Sequence, residues 1–186
     1  MRKLTIVIAL VAMVVAVTCS VGCSNVWAES HKPAVSSATP ADSISATEIR
    51  SAIESFRRAV LHKDMVGVGR YYANSPDLVI FDVVPPLSYV GWDSFRTDWQ
   101  GFFDGFKSIS VYDWTDIHVE AARDLGWMHA IVHIVGVLSD GKPLDMTFRD
   151  TAIYKRQTGK WVVVHDHGSV PIDFETSKAV MNAPLK

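Results

Sequence analysis

The chain has 186 residues, 48% of them hydrophobic, and a formal net charge of −2 from 20 acidic against 18 basic side chains. No basic stripe runs through it, which argues against nucleic acid as a partner. Its two cysteines, Cys19 and Cys23, both lie near the N-terminus, so a domain beyond them has no disulfide, thiolate nucleophile or Cys-ligated metal.

The N-terminus reads as an export signal over residues 1–23. Arg2-Lys3 forms a basic start, and the apolar run Leu4 to Val17 is too short to cross a membrane comfortably. Two cleavage readings stay open. Ser20-Val21-Gly22-Cys23 is similar to a bacterial lipobox, in which Cys23 is lipidated and tethers the chain to a membrane. Val26-Trp27-Ala28 is a small-x-small site for soluble secretion. Either way the expected location is exported, in a bacterial periplasm or outside the cell. Residues 24–45, rich in Ser, Ala and Pro, read as a flexible tether.

Ala46 to His62 places Ile49, Ile53, Phe56 and Val60 at helical spacing. Lys63-Asp64 breaks that helix, and Met65 to Tyr72 forms a short second one, weakened by Gly67 and Gly69. After a turn at Asn74-Ser75-Pro76-Asp77, Leu78 to Phe81 is a buried strand, 82–86 a loop and Ser88 to Gly91 a short strand. Trp92 to Phe106 is a third helix, ended by Gly105. The rest reads as strands: Ser108 to Trp114, Asp116 to Ala121, Trp127 to Leu138, Leu144 to Arg156, and Trp161 to Val170. Gln157-Thr158-Gly159-Lys160 supplies the turn of the last hairpin, with Gly159 free to take a positive φ. A period of two then puts Trp161, Val163, His165, His167 and Ser169 on one face, and Val162, Val164, Asp166 and Gly168 on the other. Helices followed by long antiparallel strands predict an α+β layer.

That last hairpin resembles the NTF2-like superfamily through Thr151, Lys155, Gly159, Lys160, Trp161, Val164, His165, His167, Ser169 and Pro171. The nearest branches are the SnoaL-like, ketosteroid-isomerase-like proteins and the association (hub) domain of calmodulin-dependent kinase II. The resemblance implies a cone over residues 46–174: a strongly curved antiparallel sheet wrapped around three helices, followed by a tail at 175–186. It implies a homodimer and no metal or other cofactor. The run His165-Asp166-His167-Gly168-Ser169 is also similar to the terminal strand of iota-class carbonic anhydrases, although the middle His and one Ser of that pattern are absent.

Several residues could carry chemistry. His165 and His167 share a strand face, as do His129 and His133; converging, the pairs could chelate a metal, and otherwise they are hydrogen-bonded core or rim residues. The ketosteroid-isomerase resemblance implies a carboxylate base and a neutral donor in the cone. Asp82 and Asp150 are the candidate carboxylates, His167 can titrate in place of one, and Tyr71, Tyr72, Tyr89 and Tyr154 are donors. Tyr89, Trp99, Phe103, His129, His133, Arg149, His165 and Ser169 are the candidate pocket walls, with Arg149 either facing a ligand or paired to a neighbouring Asp. The expected function is binding of a small organic ligand in the cone. An acid–base enzyme (isomerase or hydro-lyase) and a pure oligomerisation module are the alternatives.

Overall fold

Helix α1 (Pro40–Leu61) begins at Pro40 rather than Ala46. Proline suits a first helical position, Asp42 lies in the first turn, and the hydroxyls of Thr47, Ser51 and Ser55 bond back to the carbonyls four residues earlier. The computed structural model describes residues 40–184; the predicted export signal, Cys23 and most of the predicted tether lie outside them. The apolar stripe of α1 is buried as its spacing requires, with Ile49 and Val60 at 0% exposure. Each such side chain contributes about 1.5–3 kcal/mol.

Helix α2 (Met65–Tyr71) is capped by Asp64, whose side chain accepts the Val66 N–H. Gly67 is a matter of contact rather than of helix weakness. A Cβ there would lie 2.5 Å from the Ala59 Cβ of α1, so the glycine lets the two helices touch.

Strands β1 (Val79–Phe81) and β2 (Tyr89–Val90) precede α3 (Trp92–Asp104), which Gly105 caps. Four long strands follow: β3 (Phe106–Ala122), β4 (Leu125–Leu138), β5 (Pro143–Gln157) and β6 (Lys160–Ser169). The six strands form one sheet in the order β2-β1-β6-β5-β4-β3. The sheet is mixed rather than wholly antiparallel, because β1 runs parallel to β6. No hairpin joins those two strands. The chain between them is long enough to return in either direction, so local patterning does not fix the choice.

The two strands predicted on either side of Thr115 are one bent strand. Its pairing with β4 shifts between Thr115 and His118, with Asp116 at φ 51°. Such irregularities curve a sheet, and this one curves around α1, α2 and α3. The predicted tail is partly structured: β7 (Ile172–Asp173) pairs with β8 (Lys178–Ala179), and Thr147 of β5 bonds to the carbonyls of Met181 and Ala183.

Candidate functional site

The β5–β6 hairpin turns through Thr158 at φ 48° and Gly159 at φ 78°, the left-handed pair a two-residue hairpin needs. Its pairing then slips once. Tyr154 faces Val163, but Ile153 faces His165, leaving Val164 without a partner. One inserted residue reverses every side chain beyond it. Trp161 and Val163 enter the core, whereas past the bulge Asp166 and Gly168 are the residues that turn inward. The predicted single face through Trp161, Val163, His165, His167 and Ser169 is thereby broken in two.

The concave side of the sheet and the three helices enclose a cavity of about 670 Å³, the size of a small organic molecule. Its walls are chiefly apolar and aromatic, with Phe56, Phe95, Trp99, Phe102 and Tyr112 among them. Two groups of carboxyls break that surface.

At the floor, Asp150 of β5 and Asp166 of β6 lie within hydrogen-bonding reach of one another. Trp114 Nε1–H donates to Asp150 Oδ2 at 3.1 Å, and the Tyr72 hydroxyl donates to Asp166 Oδ2 at 3.0 Å. Asp166 Oδ1 is buried and meets no donor. A proton carried on that oxygen and donated to Asp150 would satisfy it. Burial raises both pKa values. The Asp150 charge pushes Asp166 higher still, while hydrogen bonds from Asp166 and Trp114 hold Asp150 down. Like charges this close in a buried site do not both persist, and the Trp114 N–H on Asp150 beside the donorless Oδ1 of Asp166 favours the proton on Asp166.

Neutral donors stand beside the pair. The Tyr71 and Tyr154 hydroxyls bond to each other. Tyr112 lines the cavity, and burial holds it, like Tyr71 and Tyr154, well above an ordinary tyrosine pKa. All three stay protonated at neutral pH.

At the mouth, Asp82 follows β1 and Asp98 comes from α3. Burial raises Asp82 to about 6, partly offset by its bond from the Val83 N–H and reinforced by contact with Asp98. Tyr89 donates to Asp98 Oδ1 at 2.5 Å.

Of the residues singled out in the sequence, the cavity collects Tyr71, Tyr72, Asp82, Tyr89, Trp99 and Asp150. Phe103 sits behind them in the core at 1% exposure. His129, His133, Arg149, His165, His167 and Ser169 all belong to the outer face. There His165 bonds to the Val79 carbonyl, His133 pairs with Asp145, and Phe81 packs against both His165 and His167. Arg149 is exposed between Ile131 and Ser169 rather than paired to an Asp or turned to the cavity. The two histidine pairs do not converge, because β5 separates them: His129 and His167 both face Thr151, which sets them roughly 10 Å apart across two strand spacings. No cluster of three or more metal-ligating side chains occurs among the described residues.

Asp166, Asp98 and Tyr112 are the cavity groups that sequence reasoning missed as polar participants. For Asp98 a signal existed: it falls between Phe95 and Trp99 at helical spacing, an acid within an apolar stripe. For Asp166 there was none, because nothing in the residue pattern announces the bulge at Val164.

The SnoaL-like domain family model matches residues 49–173. The chain belongs to the SnoaL-like family. Among solved structures, this SnoaL-like protein is similar to an NTF2-like protein of unknown function from Pseudomonas putida, at 30% identity over 77% of this chain and 98% of that one, with a TM-score of 0.69. It shares its fold with a candidate dehydratase of the NTF2-like family from Streptomyces avermitilis, at 14% identity, 69% and 97% coverage and a TM-score of 0.60. A candidate ketosteroid isomerase from Shewanella frigidimarina gives 16% identity, 64% and 92% coverage and a TM-score of 0.53. No curated protein matches in sequence.

Proposed function

We propose that this protein binds a small, largely apolar organic molecule in the cone and moves a proton on it, as an isomerase or dehydratase does. The observation that carries this reading is the Asp150–Asp166 pair at the floor of an apolar cavity. Asp150, ionised and short of water, is placed to take a proton from a carbon next to a carbonyl. The electron pair left behind moves onto the carbonyl oxygen, where the Tyr112 hydroxyl can donate to the developing charge. Returning the proton to another carbon gives an isomer; expelling a hydroxyl from the neighbouring carbon gives water and an alkene.

The test is deuterium exchange at the carbons flanking the carbonyl of a small aryl ketone in heavy water, followed by NMR. Exchange above the buffer rate, lost by about 10²-fold or more in Asp150→Asn, supports the reading. A ketone that binds but exchanges no faster than in buffer makes the cone a binding site without chemistry.

A further inference from the structure

The cavity's charge is one-sided. Its walls include Asp82, Asp98, Asp150 and Asp166, and no Lys, Arg or His is found there among the described residues. An anionic ligand would meet carboxylates in a dry site with nothing to neutralise it, which is strongly unfavourable. Phosphate esters and carboxylic acids are poor candidates on that ground.

The mouth adds direction. Asp82 Oδ1 takes the Val83 N–H at 2.6 Å, and Asp98 Oδ1 takes the Tyr89 hydroxyl at 2.5 Å. The two carboxyls are neighbours in the cavity lining, and Asp98 helps to raise the Asp82 pKa. A cation with its own N–H donors would relieve that repulsion and can bond to both. Tyr89 and Phe95, with ring centroids 5.5 Å apart, form an aromatic wall beside it, and such walls favour cations. Val84, 45% exposed, lines the cavity and offers an apolar edge to the rest of the molecule.

A second, independent feature lies deeper. Trp99 lines the cavity at 7% exposure, and its indole N–H meets no acceptor in the protein. A buried donor left open is costly, and a ligand with a hydroxyl or carbonyl would supply the acceptor.

We propose that the cavity takes an organic cation: a protonated amine seated between Asp82 and Asp98, on an apolar body that carries a hydroxyl or carbonyl for Trp99. This rests on the reading of the cone as a small-molecule site and narrows its substrates to amino alcohols and amino ketones.

Titration calorimetry of the purified protein at neutral pH with three matched probes tests it: phenylethanolamine (cation), styrene glycol (neutral) and mandelate (anion). The amine should bind roughly tenfold tighter than the glycol, as one charged hydrogen bond allows, with mandelate weakest. Asp82→Asn with Asp98→Asn should erase the amine's advantage over the glycol, with circular dichroism reporting that the variant is folded. The comparison within the unaltered protein stands if the variant does not fold. Glycol binding with no preference for the amine, mandelate binding as tightly as the amine, or an advantage that survives the double substitution overturns the charge inference and leaves the cavity reading intact. Failure of all three probes to bind overturns both.

Discussion

Asp150 and Asp166 stand diagonally across paired strands, Asp150 facing Gly168 and Asp166 facing Ala152, on the side that the Val164 bulge turns into the cone. The missing side chain of Gly168 leaves space above Asp150; a Cβ there would already lie 3.0 Å from Val83 Cγ1. Two acids on one strand face are ordinary on a wet surface. Here burial among aromatic rings raises both pKa values, which favours one proton between them.

The first expectation concerns what the pair costs. Paired buried acids suit proton transfer but are a poor way to stabilise a fold, since replacing them by neutral groups relieves desolvation. Asp150→Asn should therefore leave thermal stability equal or higher while removing ketone proton exchange. A melting temperature that drops together with activity would mean that Asp150 is structural and would remove it from the proposed chemistry.

The elements of this fold were legible because each carries its own period: the α1 stripe at Ile49, Ile53, Phe56 and Val60, and the turn at Thr158-Gly159. The site was legible only in part. Asp82, after a buried strand, and Asp150, on the last hairpin, were candidate carboxylates, but the inner face of β6 was read one residue out of phase past Val164. A bulge is a property of pairing, set by how β6 fits β5 and β1 together, and a single strand's residues do not record it. The same slip moved His165 and His167 from the expected pocket to the outer face.

A second prediction follows from that reversal. His167→Ala should leave proton exchange within about twofold of the parent, as exposed substitutions usually do. Loss of exchange by an order of magnitude, with the fold intact by circular dichroism, would put His167 back in the chemistry and contradict the register described here.

Gly67 offers a test of packing against propensity. Glycine to alanine within a helix ordinarily stabilises by about 0.5–1 kcal/mol. At Gly67 the added Cβ would fall 2.5 Å from Ala59 Cβ and 2.7 Å from Asp64 Oδ2. Gly67→Ala should instead destabilise by about 1–3 kcal/mol, as overpacking does, and chemical denaturation will read the sign directly.

The Tyr71–Tyr154 bond calls for a double-mutant cycle. Tyr154 is 0% and Tyr71 5% exposed, so Tyr154→Phe leaves a buried hydroxyl without its partner, at about 1–3 kcal/mol. Adding Tyr71→Phe removes the orphan and should recover part of that loss. Additive losses in the double variant would show that the two hydroxyls do not depend on each other.

The last prediction is a pH dependence with a definite sign. Asp82 is raised from 3.8 to about 6, so the folded chain holds a proton there that the unfolded chain releases earlier. Stability is then greatest below the unfolded value and falls as pH rises through about 4 to 6, by up to about 3 kcal/mol. Asp150 and Asp166, also raised by burial, push the same way. Glu48, Glu54, Asp140 and Asp173 are lowered, and they act in the opposite sense, withdrawing stability only as pH falls below their ordinary range. The two sets occupy different windows, so the fall between about pH 4.5 and 6 belongs to the cavity acids. The melting temperature should be higher near pH 5 than near pH 7, and Asp82→Asn should flatten that slope. An unchanged slope in Asp82→Asn would mean that water reaches this carboxyl freely, and the mouth would lose the dryness on which its preference for a cation depends.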